Sequence, residues 1–316
     1  MKYKVITFGS ASEDIFVFSK EFFDKKLCFP LGDKIEMDKI LIRTGGGGTN
    51  AAATFANQGI ETAYCGSVGK DYAGFSILLD LKRFGISAEF LSSLKDKTTN
   101  HSIILSKKEK GKVILVHRDA SGYLPKDFSL NKIKADWFYL APLSGEYAKQ
   151  TKKIIDFAYK NKIKVAFNPS KEQIELYKKS IKSILPKIDV LLTNEKETEM
   201  LFGKSDIKAI CEDIKPFLKG IFITGGRSGL IGFDGKFIYK ADVFKSKITD
   251  LTGAGDAFGS GLVAGLINGY DITQAIQLGS ANTVACIKEW GAKEGLLEKG
   301  KKYKKIKIKK HYYEVT

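Results

Sequence analysis

Two glycine-rich stretches in this chain run directly into residues that can do chemistry. The stronger is Asp250-Leu251-Thr252-Gly253-Ala254-Gly255-Asp256, followed by AFGSGLVAGL. Gly253 and Gly255 let a ligand approach the backbone with no Cβ in the way. The helix expected next presents free N–H groups and the positive end of its dipole in its first turn. Such a site suits a phosphate, or the charge that develops on a transferring phosphoryl group. Asp256 would repel a merely bound anion. It makes sense as a group that accepts a proton from an attacking hydroxyl. The plain alternative is an N-capping Asp on a packed Gly-rich helix, and the residues alone weigh the two evenly. A carboxylate near a helix N-terminus is also expected to have a low pKa, so that Asp256 takes its proton late.

The second stretch is Gly45-Gly46-Gly47-Gly48-Thr49-Asn50, ahead of AAATFANQ. It lacks the G-x-G-x-x-G spacing of a dinucleotide loop and the G-x-x-x-x-G-K-[ST] of a P-loop. Phosphate is therefore not its obvious ligand. Asn50 offers both donors and acceptors, which suits hydroxyl groups. A bare surface loop is the alternative, but four consecutive Gly are entropically costly.

Asp14 follows the first apolar run, in Gly9-Ser10-Ala11-Ser12-Glu13-Asp14. It is expected on a loop at the carboxyl end of a strand, where open α/β sheets bind ligands. A carboxylate there can accept polyol hydroxyls; a solvated loop Asp is the commoner case. Asn194-Glu195-Lys196-Glu197 and Thr224-Gly225-Gly226-Arg227-Ser228-Gly229 also follow apolar runs. Glu197 could hold Mg²⁺ through water beside phosphates. The turn at Gly226 and Gly229 can pass close to a nucleotide. N-x-x-E is equally a plain capping pattern.

These residues need a scaffold, and the pattern predicts one. Short apolar runs at 4–9, 62–67, 137–141, 164–167, 190–193 and 220–224 read as strands buried on both faces. Helical stretches are expected at 49–58, 72–83, 147–160, 195–202, 206–218, 254–268 and 273–288. The alternation predicts an α/β fold, a doubly wound, mostly parallel sheet covered by helices. Segments 15–43 and 98–118 break the pattern and read as strands without helices. The expected division is an α/β domain of residues 1–14, 44–97 and 119–316 with an inserted β lid of 15–43 and 98–118. Phe16, Phe18, Phe22 and Phe23 in the lid read as lid core rather than a nucleobase platform. The Lys-rich tail, with Ile306 and Ile308 alternating with Lys, reads as a charged edge strand.

Composition removes other classes. The 316 residues carry 52 Lys+Arg against 36 Asp+Glu, a formal net charge of +16. Only four of the 52 are Arg, whereas base readout and phosphate clamps favour Arg. No specific nucleic-acid partner is expected. Cys28, Cys65, Cys211 and Cys286 have no metal or redox spacing. No apolar window is long enough for a membrane span, and no cleavage-site pattern follows the first residues. A reducing cytoplasm is the expected location.

Together the motifs resemble the ribokinase-like (PfkB-type) carbohydrate kinases. Asp250–Phe258 meets D-x-T-G-A-G-D-x-F. GGGGTNAA at 45–52 is followed by Gly66-Ser67-Val68-Gly69-Lys70-Asp71-Tyr72-Ala73-Gly74, which meets G-x-V-G-x-D-x-x-G; Asn194 and Glu197 meet N-x-x-E. The resemblance runs from residue 4 to about 295. It implies ATP, Mg²⁺ and K⁺ as cofactors, and a lid that closes over a sugar and often helps form a homodimer. It implies Asp256 as the base, the Gly253-Ala254-Gly255 backbone as the anion hole, and Asp14, Gly46, Gly47 and Asn50 at the sugar. Asn194 and Glu197 would order Mg²⁺ and phosphates. Thr224, Gly226 and Gly229 would line the nucleotide, with Ser280 or Asn282 on its adenine side. Asp250, with carbonyls around 290–292, would hold the monovalent cation. Gly47 stands where ribokinases proper carry Lys. The expected activity is phosphoryl transfer from ATP to a hydroxyl of a small sugar. A nucleoside kinase is the alternative, and a non-catalytic ligand- or polyanion-binding protein is a third reading.

Overall fold

The computed structural model describes residues 2–20, 31–107, 111–124, 129–204, 206–214, 220–244 and 246–313. Its strands are β1 (Tyr3–Phe8), β2 (Ser12–Phe18), β3 (Lys39–Gly45), β4 (Thr62–Gly69), β5 (Ser87–Leu94), β6 (Asn100–Lys107) and β7 (Gly111–His117). They continue as β8 (Ala135–Leu140), β9 (Lys164–Phe167), β10 (Val190–Asn194), β11 (Ile221–Thr224), β12 (Leu230–Phe233), β13 (Phe237–Ala241) and β14 (Ile308–Tyr312).

Ten strands form one sheet in the order β14-β13-β12-β11-β10-β9-β8-β1-β4-β5. From β5 to β11 every pairing is parallel. The strands β12, β13 and β14 extend the β11 edge antiparallel. β4 is buried at all eight positions, which is why its run is apolar or small throughout. The chain leaves β1 in one direction along the sheet and returns on its other side through β8. The carboxyl end of β1 is thus a switch point, where a crevice opens.

The segments expected as a lid meet in a second sheet, in the order β3-β2-β6-β7. The β2–β6 pairing is parallel and the outer two are antiparallel. Phe16 and Phe18 of β2 meet Trp290 edge-on, with ring centroids 5.7 and 4.7 Å away. They pack against Trp290, outside the second sheet, rather than within a core of that sheet; Phe16 is fully buried and Phe18 partly so. Phe22, Phe23 and Cys28 lie outside the described residues.

Several elements differ from expectation. β5, β12 and β13 are not among the expected strands: β5 is half polar, and β12 and β13 are a short antiparallel pair beyond the parallel strands. The helix expected at 147–160 is split into Gly145–Lys149 and Thr151–Lys160. The helix expected at 206–218 is described over Ile207–Ile214, and 215–218 lie outside the described residues. The Lys-rich tail forms β14 at the sheet edge. The helices Ala254–Ile267 and Ile272–Cys286 approach so closely that a Cβ at Gly261 would sit 2.9 Å from Gly279 Cα. The small-residue face after Asp256 is therefore a packing surface as well. Among the described residues no helix is long and apolar enough to cross a membrane.

Candidate active site

The site is assembled at the carboxyl ends of the parallel strands. Gly46, at φ +95°, turns the chain into the helix Gly47–Asn57. A Cβ at Gly48 would strike the backbone of Gly9 at 2.8 Å. The run of glycines therefore lets the loop press against the end of β1. This contact fixes Asn50, in the first turn of that helix, beside Asp256.

Gly253 is left-handed, at φ +76°, and opens the helix Ala254–Ile267. Asp256 is in its first turn, yet no side-chain cap closes that helix end. Its Oδ2 instead accepts from Asn50 Nδ2 at 2.9 Å. Of the two roles open for Asp256, the geometry excludes the cap.

Two cavities meet at this carboxylate, and a third adjoins the second of them. The largest, about 700 Å³, is bordered by Asp14, Gly46, Gly47, Asn50, Gly253 and Asp256. A cleft of about 180 Å³ is bordered by Asn194, Glu197, Thr224, Gly255 and Asp256. The third, about 200 Å³, is bordered by Thr224, Gly226, Gly229, Ala254, Gly255 and Ser280. Asp256 borders the first two; Thr224 and Gly255 border the second and third. Neighbouring strands bring Asn194 and Thr224 into register. A Cβ at Gly255 would meet nothing within 4 Å, so this backbone is open to a ligand.

The sequence matches the family model described as pfkB family carbohydrate kinase over residues 2–299. The chain belongs to this family. It is 27% identical over 305 residues to the ATP-dependent 6-phosphofructokinase of Thermoanaerobacterium thermosaccharolyticum, a match covering 92% of this chain and 90% of that protein. It is 28% identical over 269 residues to the ribokinase of Lactococcus lactis subsp. lactis, covering 84% and 86%. The nucleoside kinase of Methanocaldococcus jannaschii shares the fold, with a TM-score of 0.77, 21% identity and coverage of 94% and 95%. This pfkB kinase is a phosphotransferase with a hydroxyl acceptor, of the class that acts on sugars or nucleosides with ATP.

Against that identity, three expectations need correction. Asp14 is not on a loop: it lies within β2, 5% exposed, and accepts from Ser12 Oγ at 3.0 Å. Asn282 does not reach the nucleotide cavity. It is fully buried, donates to Thr54 Oγ1 at 3.1 Å and to the Ala257 carbonyl at 2.8 Å, and accepts from Leu297 N. Ser280, one helical half-turn away, borders that cavity instead.

The third correction concerns charge. Burial pushes the Asp256 carboxyl above its ordinary value; the Asn50 hydrogen bond opposes this and the Asp14 charge adds to it. The helix terminus does not win, because desolvation penalises the ionised form. Asp14 is likewise raised, mainly by burial, against hydrogen bonds from Ser102 and Ser12 and the positive charge of Lys293. Burial also raises Glu197, opposed by hydrogen bonds to Asn194 and reinforced by Asp256.

Asn194 and Glu197 do form a capping box. Glu197 Oε2 accepts from Asn194 N and Asn194 Oδ1 from Glu197 N, both at 2.9 Å. Both residues still border the cleft. No cluster of three His, Cys, Asp or Glu able to hold a metal exists among the described residues. A Mg²⁺ ion here would rest on water and nucleotide oxygens, as is usual for that ion; the Glu197 carboxylate, at the border of the cleft, fits such a role.

Sequence reasoning missed Ser10, Ser12, Asn100, Ser102, Arg118 and Lys171, which also border the large cavity. Their only signal is register: Asp14 pairs with Ser102, which pairs with Val116. No local motif marks them.

Proposed function

We propose that this kinase transfers the γ-phosphoryl group of ATP to a hydroxyl of a small sugar held in the large cavity. The observation that carries the proposal is the position of Asp256, at the junction of the acceptor cavity and the phosphate cleft. A hydroxyl held between Asp14, Asn50 and Asp256 would face the cleft in line with a phosphoryl group. Asn50 Oδ1 is buried without a donor among the described residues, which suits a sugar hydroxyl. Asp256 accepts the hydroxyl proton as the bond to phosphorus forms. The Ala254 N–H donates to the Leu251 carbonyl; the N–H groups of Gly255 and Asp256 that follow would face the developing negative charge. ATP and Mg²⁺ would lie along Asn194, Glu197, Thr224, Gly226 and Gly229. The ion would offset phosphate charge there.

A sugar suits this cavity better than a nucleoside. Among the described residues no Phe, Tyr or Trp borders it, and its only rings are the small imidazoles of His101 and His117, whereas a nucleobase gains most by stacking on large aromatic rings. The second sheet supplies Asp14, Asn100 and Ser102, and we assign it the role of lid. Its outer face carries Ile40, Ile42, Ile103 and Leu115, from 37 to 52% exposed. Strand register puts these on one face, and a second copy of the chain would cover them.

The deciding experiment is ADP release with free sugars, a phosphosugar and nucleosides as acceptors, with and without Mg²⁺. The expected result is turnover with a sugar. Turnover with nucleosides alone would overturn the sugar assignment. No turnover with any acceptor would overturn the kinase assignment.

A further inference from the structure

The second sheet sends one charged side chain into the loop ahead of the anion hole. Lys112, in β7, places Nζ 2.8 Å from Asp250 Oδ1 and 3.0 Å from Thr252 Oγ1. The same Oδ1 also accepts from the Thr252 hydroxyl at 2.9 Å and the Thr252 N–H at 3.1 Å. The Gly291 N–H points at Oδ2 from 3.4 Å. The Ala292 carbonyl receives the Cys286 thiol at 3.5 Å.

This arrangement does not fit a monovalent metal ion at Asp250. The Asp250 side chain is 1% exposed, so its charge needs a partner close by. The ammonium already provides it. A K⁺ ion on the same carboxylate would set two cations against one buried negative charge, with Oδ1 crowded by donors.

We infer that the Lys112 ammonium is the resident cation of the Asp250 loop and takes the place of an alkali-metal ion. This rests on the kinase reading above. The ion pair joins the second sheet to the loop that sets Gly253 and the N–H groups beyond it. The same face of β7 carries Val116, which borders the acceptor cavity. Lys112 is a positioning residue: it touches no reacting atom and acts through Asp250 and Thr252.

The test compares wild type, Lys112→Met and Lys112→Arg as full chains, in KCl and in choline chloride at equal ionic strength. ADP release is measured with the best acceptor, and thermal unfolding without it. Wild-type rates should agree within about twofold between the salts, and wild-type melting should not distinguish them. Lys112→Met should lose about tenfold or more in choline chloride, a cost of about 1.4 kcal/mol in the barrier. KCl should restore much of that loss, and should raise its melting temperature by a degree or more through binding. Lys112→Arg should stay independent of K⁺. A wild-type rate or melting temperature that depends on K⁺ over choline would overturn the inference. So would a Lys112→Met protein indifferent to K⁺ in both measurements. If no acceptor yields ADP in either salt, the kinase reading fails, and melting alone decides the cation question.

Discussion

Asn50 Nδ2 lies 2.9 Å from Asp256 Oδ2, although the two residues stand 206 positions apart in the chain. The bond ties the helix after the first glycine loop to the helix after the second. It also favours the ionised form of Asp256, against the penalty of burial. A base works only when deprotonated, so the rate should rise with pH through the raised pKa of Asp256. The acid limb of kcat/KM should sit above the ordinary carboxylate range. Asn50→Ala removes the stabilising donor and should move that limb to higher pH. A limb that stays put, or moves down, in a pH–rate profile would contradict this.

Asp256→Asn should lower turnover about 100- to 10,000-fold, the usual scale of general-base catalysis, while calorimetry still detects sugar binding. Its effect on stability has the opposite sign. With its folded pKa raised, the native state binds more protons than the unfolded chain between the two pKa values. Stability therefore falls as pH rises through that window and stays lowered above it. At neutral pH the amide escapes this penalty, so Asp256→Asn should melt higher than wild type, by about 0.5–2 kcal/mol. A lower melting temperature at pH 7 would refute the burial argument.

Gly253→Ala should be costly twice over. The left-handed φ of +76° costs an L-residue about 1–2 kcal/mol, and the new Cβ would collide with Ala292. The helix N-terminus must then shift. Both melting temperature and kcat should fall, with the KM for sugar little changed. Full activity in this variant would show that the N–H groups after Gly253 are not used.

Asn282→Ala separates a buried tie from a nucleotide contact. It leaves Leu297 N and Thr54 Oγ1 short of partners, at about 1–3 kcal/mol for each buried unsatisfied group. Urea unfolding should show that loss. The KM for ATP should remain near wild type; a large rise in it would restore Asn282 to the nucleotide site.

Much of this protein is legible in its sequence. The inner strands of the parallel sheet are legible because both of their faces are buried, so most of their residues are apolar; the half-polar edge strand β5 is not. The glycine loops were legible because only Gly permits the approach of the Gly45–Gly48 loop to Gly9 and the turn at Gly253. Asn194 and Thr224 end their strands and Glu197, Gly226 and Gly229 follow closely, and parallel strands bring such ends to one edge by topology.

What the sequence determined by itself was family, fold class and the residues near the chemistry, because these are written in local patterns. The tertiary structure decided which way each side chain points and what it meets. Asn282 and Ser280 share a helix and differ only in rotation, so packing alone turned one into the core and the other to the cavity. Asp14 entered a strand through pairing with residues about 30 and 90 positions away. The shift of the Asp256 carboxyl comes from desolvation by distant segments, and the Lys112–Asp250 pair spans 138 positions. Burial and ion pairing depend on neighbours in space, and a linear sequence names only neighbours along the chain.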